Sequence, residues 1–355
     1  MAFFCINNVK VIGISACVPS KIENIEDYPL FNEVEKQRML PFFGLSKHRV
    51  VDEKTTPSDL CYAAAEKLLE ECKWSKESID ILVYVSSTPD YIFPSTCCVL
   101  HDRLGLKQDC AAFDIPFGCS GWIYGLTVIC NLLSSGTIKR GLLLVGDTPS
   151  RAASKEDKSV YPFFGDAGSA TAIEYEPGAF GLRAELGTIG SGYDKIIMPD
   201  GGMRNPVTED SLVVKEFESG VKRCNLNTHI DGVDVFALST KLDPVSIRTV
   251  LEKANISIDD VDCFAFHQTN KFLSERVRKI LKLAPEKVPY SLENFSNTSA
   301  ASIPLTLVTE RRDLLVSTRM RIVGCALGVG LSLGACYLET DKIIVPSLVE
   351  YNNTK

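Results

Sequence analysis

The 355-residue sequence has no excess of positive charge: 38 Lys and Arg stand against 45 Asp and Glu, a formal net charge of −7. Nucleic acid is gripped through its phosphates by a basic face, so this balance argues against it as a partner. No apolar run is long enough to cross a bilayer, which argues against a membrane-spanning protein. The opening MAFFCINNVKVIGISACVPS lacks the basic start of an export signal, and Asn7, Asn8 and Lys10 interrupt it, so it reads as a strand. Its 13 cysteines include no C-x-x-C pair and no Cys/His metal spacing. Reduced thiols in the cytoplasm, with no bound metal, are the expectation. A GxxxxGK[ST] phosphate loop is missing as well. The glycine-rich GCALGVGLSLG has the wrong spacing for a dinucleotide fingerprint and suggests a sharp hairpin instead.

What is present is an alternation. DILVYVSS, CAAFDI, GLLLVGD, VDCFAFH and MRIVGCAL are short, apolar and branched, as buried strands are. Between them SDLCYAAAEKLLEECK, SGWIYGLTVICNLLSS and DPVSIRTVLEKA carry helical spacing, which favours an α/β fold. The halves also resemble each other. Asp80 before ILVYV matches Asp262 before CFAFH, GCSGWIYGLTV lies over NTSAASIPLTL, and LLLVGD lies over MRIVGC, each pair about 180 residues apart. A duplicated unit follows, with its seam near residues 176–181, giving halves 1–178 and 179–355.

Three residues could carry chemistry. Cys119, in Gly118-Cys119-Ser120-Gly121, sits where an apolar run meets a helix; a helix start favours the thiolate, and small neighbours leave room for a thioester. As a bare observation it is also an ordinary buried cysteine. The sequence has four histidines; His48 and His101 lie in polar strings and read as surface residues, and His229 sits in a polar connection. His267 ends a strand, where binding residues of α/β sheets gather, and Gln268, Thr269 and Asn270 after it can cap the helix KFLSERVRKILKL. Asn297, in ENFSNTSAASIPL, is either a helix cap or a fixed amide donor. If the halves pack about a pseudo-twofold axis, the starts of their matching helices face each other, and the three side chains can meet.

FDIPFGCSG, FHQTN, NTSAASIP and ALGVGLSLGA, in that order, resemble the β-ketoacyl-acyl carrier protein synthase III family, with YIFPSTCC and YPFFGDAGSA in support. The resemblance implies a thiolase-like fold, two pseudo-symmetric α/β halves in a five-layered α-β-α-β-α arrangement, working as a homodimer. It implies Cys119 as the acylated nucleophile, His267 and Asn297 as its partners, and an oxyanion hole from the backbone N–H groups of Cys119 and Val329. Family members usually carry glycine at that last position. The implied reaction is acylation of Cys119 by an acyl thioester, then decarboxylative condensation with malonyl-acyl carrier protein to a 3-oxoacyl product, with no metal or redox cofactor. Arg38 and Lys158 fall where relatives grip the donor's coenzyme A with tryptophan and arginine, so the aromatic stack is lost and a specialised paralogue is one reading. Lys271, Arg276, Arg278, Lys279 and Lys282 form a basic helix face suited to an acidic carrier protein. Two other readings remain: acyl transfer to an oxygen, nitrogen or sulfur acceptor without decarboxylation, and a non-catalytic partner subunit.

Overall fold

Residues 1–353 are described by the structure, a computed structural model. A six-stranded sheet runs in the order β17 (Val349–Tyr351), β2 (Val9–Pro19), β8 (Ala167–Tyr175), β7 (Arg140–Asp147), β5 (Ile81–Val85) and β6 (Ala111–Ile115). A five-stranded sheet runs β1 (Ala2–Ile6), β9 (Leu182–Thr188), β16 (Ser332–Asp341), β15 (Arg319–Gly328), β14 (Cys263–Phe266). Three short ribbons pair β3 (Ile22–Asn24) with β4 (Lys47–Arg49), β10 (Ile196–Ile197) with β13 (His229–Ile230), and β11 (Lys215–Glu216) with β12 (Lys222–Arg223).

The two large sheets share one plan. In β2-β8-β7-β5 the first two pairings are antiparallel and the last parallel, and β9-β16-β15-β14 repeats this. Each parallel pair opens on the same clasp. Asp80 donates its N–H to Arg140 O (2.9 Å) while its carboxylate accepts from the N–H of Lys139 and Arg140. Asp262 donates to Arg321 O (2.9 Å) and accepts from Arg321 N–H (2.8 Å). The termini cross between sheets: β1 pairs with β9, and β17 with β2.

Strand β5, ILVYV, is buried along its whole length because helices cover both faces of its sheet. Outside that sheet lie α2 (Pro57–Cys72) and α3 (Thr96–Leu104); α2 starts with Pro57 behind a Thr56/Asp59 capping box. Outside the other sheet lie α6 (Gly232–Ala254) and α7 (Lys271–Leu281). Between the sheets are α4 (Gly121–Leu133) and α9 (Ser302–Glu310), apolar nearly all round, as a middle layer requires. This gives five layers. The shorter α1 (Glu33–Phe43), α5 (Pro149–Ala152), α8 (Leu292–Phe295) and α10 (Arg312–Ser317) complete the helices used here. Among the described residues, no helix is long and apolar enough to cross a membrane.

Two expectations change. The helix expected from Asp243 starts instead at Gly232, behind an Asp231 cap, and runs through Pro244. Asp-Pro mimics a helix start, but buried residues on both sides of it hold the helix to its sheet. His48 is not on the surface: it is buried, with Nδ1 against Phe164 O and its ring edge-on to Tyr161. Its basic string is a ribbon strand whose alternate residue faces inward.

Candidate active site

Cys119 lies in the turn between β6 and α4, and three neighbours define its space. A methyl group on Gly328 would come within 2.3 Å of both Cβ and Sγ of Cys119, so the β15–β16 hairpin crosses directly over the thiol. The next residue, Val329, turns its backbone N–H toward the sulfur, and the Ser299 hydroxyl and the N–H of Cys119 itself also reach it. Gly121 lets the two central helix starts touch, since a methyl there would stand 3.2 Å from Ala300 Cβ and 2.7 Å from Val85.

The sequence predicts a thiol made acidic by a helix start, and the structure reverses this. Burial dominates and pushes the Cys119 thiol up to about 11, against the weaker pull of the N–H groups. The helix offers little help because Gly121 N–H is taken by Gly118 O and Ile123 N–H by Ser120 O. The Cys119 side chain is therefore a neutral thiol near pH 7.

His267 follows β14, its N–H bonded to Cys325 O (2.8 Å) and its carbonyl accepting from Thr269 N–H (3.0 Å). Burial lowers its imidazole to about 4, so the ring is neutral near pH 7. Gln268 braces this turn, donating to Phe266 O and accepting from Ser291 N–H, while Asn270 caps α7 through Leu273 N–H. Asn297 is pinned to Phe164 through backbone bridging, and its Oδ1 accepts from Ser299 N–H (2.9 Å). With the carbonyl end occupied, the amide's Nδ2 is the end left to donate.

All three side chains line one cavity of about 590 Å³, with walls of Phe163, Phe164, Ile196, Ile230 and Phe236. Val329, Ser87, Thr88 and Ser299 line it too. At one side Phe42 of α1 stacks on Phe272 of α7 (ring centroids 4.4 Å apart), which stacks on Phe236 of α6 (5.1 Å).

Arg38 and Lys158 are not among the lining residues. Arg38 is exposed on α1, and Lys158 is tied to Glu35 at 2.7 Å. On α7, Lys271, Arg276, Lys279 and Lys282 are exposed, whereas Arg278 is half-buried, held by both oxygens of Glu275 and by Leu283 O. One organising residue escaped the sequence reading. Fully buried Asp147, at the end of β7, accepts through Oδ1 from Ser86, Ser87 and Thr88 and through Oδ2 from Ala300 N–H. It ties the loop after β5 to the start of the Ser299 turn, and its only trace in the sequence is an acid closing an apolar strand.

Such an arrangement suits acyl transfer: a sulfur nucleophile beneath backbone donors, beside a neutral imidazole and a carboxamide, in a tunnel fit for an apolar chain. The chain matches family models described as 3-oxoacyl-[acyl-carrier-protein] synthase III over residues 113–190 and its C-terminal part over residues 251–340. A Campylobacter jejuni protein named as a 3-oxoacyl-[acyl-carrier-protein] synthase 3 is 33% identical across 98% of this chain and 99% of its own length. The β-ketoacyl-[acyl-carrier-protein] synthase III of Desulfitobacterium hafniense is 30% identical across 94% and 98%. The crystal structure of a 3-oxoacyl-(acyl-carrier protein) synthase from Burkholderia xenovorans superposes with a TM-score of 0.93 at 32% identity, covering 99% of each chain.

Proposed function

Given that the chain belongs to the 3-oxoacyl-acyl carrier protein synthase III family and is a condensing enzyme of that type, we propose that Cys119, His267 and Asn297 carry its reaction. One observation supports this most: three residues far apart in sequence line the same cavity, with the backbones of His267 and Asn297 fixed by hydrogen bonds.

Cys119 attacks the carbonyl of an acyl thioester. The new C–S bond forms, the carrier's C–S bond breaks, and the cysteine proton leaves with the carrier thiol. The passing oxyanion is met by the N–H groups of Cys119 and Val329, and valine serves as well as glycine because the donor is backbone. Malonyl-acyl carrier protein then places its thioester carbonyl against His267 Nε2 and Asn297 Nδ2. Loss of carbon dioxide leaves an enolate held by these two donors. Its carbon attacks the acyl-cysteine, and the departing thiolate takes a proton from solvent. Atoms and charge balance without metal or redox cofactor.

The partner is an acyl carrier protein, drawn to Lys271, Arg276, Lys279 and Lys282 beside the Phe42–Phe272 mouth; Arg278 shapes that face and is not free to bind. Lys158 is held by Glu35 and does not line the cavity, so an acyl donor meets the rings of Phe42 and Phe272 there in place of that lysine. A homodimer accounts for Tyr91, Ile92 and Phe93, which are 59%, 77% and 79% exposed in succession. Thirteen free thiols suit a reducing cytoplasm.

Mass spectrometry tests the reading. Acyl-coenzyme A and acyl-carrier donors should add one acyl mass at Cys119, absent in Cys119→Ser, and malonyl-acyl carrier protein should discharge it with release of carbon dioxide. Discharge only by an alcohol, amine or thiol would replace condensation with simple acyl transfer. No adduct from any donor would end the proposal.

A further inference from the structure

A second chamber shares His267 as its wall. It measures about 10 Å³, room for roughly one water molecule, and lies between α6, α7 and β15. Two of its lining residues keep a buried polar atom that has no hydrogen-bond partner among the described residues: Nδ1 of His267 and Oδ1 of Asp243. Asp243 is a buried acid with no ion-pair partner among the described residues; its Oδ2 accepts from Ser239 Oγ one turn earlier on α6. An orphaned ring nitrogen and an orphaned carboxyl oxygen facing one water-sized space are each costly alone and are satisfied together by a single bridge.

We propose that Asp243 is a positioning residue for His267, joined to its Nδ1 through one water in this chamber, and that this bridge decides which ring nitrogen bears the proton. The inference rests on the reading above, in which Nε2 donates to the thioester carbonyl. As a neutral acid, Asp243 donates its O–H to the water, and the water donates to the Nδ1 lone pair. The ring proton then stays on Nε2, toward the reacting atoms. When Asp243 ionises, the water turns: Nδ1–H donates to it and it donates to the carboxylate, leaving Nε2 a lone pair where a donor is required. Burial raises the Asp243 carboxyl to about 7, opposed by Ser239 and Cys325, so the change falls within a working range of pH.

The two thiols nearest this pair lie outside that range. Cys325 on β15 is held well above its ordinary value by burial, and Cys119 across the substrate cavity is pushed up to about 11. From α7 the chamber receives Leu273, Ser274 and Val277, none of them charged. Glu185 on β9, felt by Cys325, accepts from Ser246 Oγ on α6.

The test uses full-length protein already acylated on Cys119, which removes that thiol's own titration, and follows single-turnover condensation with malonyl-acyl carrier protein. The wild-type rate should fall about tenfold as the pH rises from about 6 to about 9. Asp243→Asn, whose amide can donate to the water at every pH, should keep the low-pH rate within about threefold and lose the decline. Nitrogen-15 spectra of the imidazole, assigned against His267→Ala, should show the proton moving from Nε2 to Nδ1 over the same pH range in wild type and not in Asp243→Asn. A wild-type ring whose tautomer does not change overturns the proposal, even if Asp243→Asn does not fold. So does an Asp243→Asn profile indistinguishable from wild type. If His267→Ala condenses at the wild-type rate, the reading of the active site has failed instead.

Discussion

The two halves of the molecule share one plan, and one of their differing connections shapes the cavity. After β7 the chain wanders through residues 148–166 before returning as β8, whereas after β15 it turns back at once, through residues 329–331, into β16. The long connection supplies Pro149, Val160, Phe163 and Phe164 to the cavity wall, and the tight one lays Gly328 and Val329 over Cys119. The strand ends differ in the same way. Asp147 closes β7 and gathers donors from both halves, while its counterpart in the matched strand, Cys325, is a buried thiol. A shared plan thus provides the scaffold: the first half contributes Cys119 and part of the cavity wall, the second the rest of the wall, the hairpin over the thiol, His267 and Asn297.

The sharpest way to break this division is at the tight turn. Gly328→Ala puts a methyl group 2.3 Å from both Sγ and Cβ of Cys119, and Cβ is bonded to the backbone and cannot swing aside. Acylation of Cys119 should fall more than about a thousandfold, and the mass of the intact protein after incubation with donor reads the loss directly. An unchanged adduct would show that the hairpin does not cover the thiol.

Asn297→Ala should separate the roles of the halves. It removes the donor proposed for the enolate and leaves the Cys119 side chain in place, so condensation should drop by about 10²–10³ while first acylation stays within about threefold. Equal loss in both steps would make Asn297 a structural cap only, since its Oδ1 also holds Ser299 N–H.

An ordinary thiol titrates near 9, and burial moves Cys119 to about 11, so at pH 8 its thiolate is about a hundredfold scarcer. Alkylation of Cys119 by iodoacetamide should be slower by about that factor than in an unfolded peptide of the same sequence, and should climb about tenfold per pH unit until near 11. A plateau below pH 8 would mean that the helix start wins over burial after all. His267, lowered to about 4 by burial, should add no acid limb near its ordinary value.

That reversal marks where the sequence stopped being legible. Gly118, Gly121, His267 and Asn297 announced themselves through residue type and position, because a glycine beside a cysteine or a histidine ending a strand has few cheap explanations. Apolar runs placed the buried strands, and the repeat placed matching helix starts opposite one another. Sequence could not weigh burial against a helix dipole at Cys119, since burial is set by Gly328, far along the chain. Nor could it show that Glu35 would claim Lys158 or Glu275 would claim Arg278, because ion pairs are settled by side-chain geometry. His48 misled for the same reason: a basic neighbourhood in sequence says nothing of which side of a strand faces inward.

The smallest effect compares the two clasps that the repeat first exposed. At Asp80, burial pushes the carboxyl up, but the N–H groups of Lys139 and Arg140 and the ammonium of Lys107 outweigh it and hold it below its ordinary value. At Asp262, one oxygen accepts one N–H and the side chain is otherwise exposed. Asparagine can keep a single accepted bond but cannot replace a charge shared between Lys107 and two amides. Asp80→Asn should therefore cost about 1–2 kcal/mol in urea unfolding, and Asp262→Asn less than about 0.5 kcal/mol. The sign with pH follows from the lowered value: the Asp80 contribution is complete above the ordinary carboxylate range and fades as the pH falls through the folded-state value. Wild type and Asp80→Asn should converge in acid. Equal costs at neutral pH would mean that the second amide and the Lys107 ion pair at Asp80 add nothing, and that the divergence of the halves is confined to the turns over the cavity.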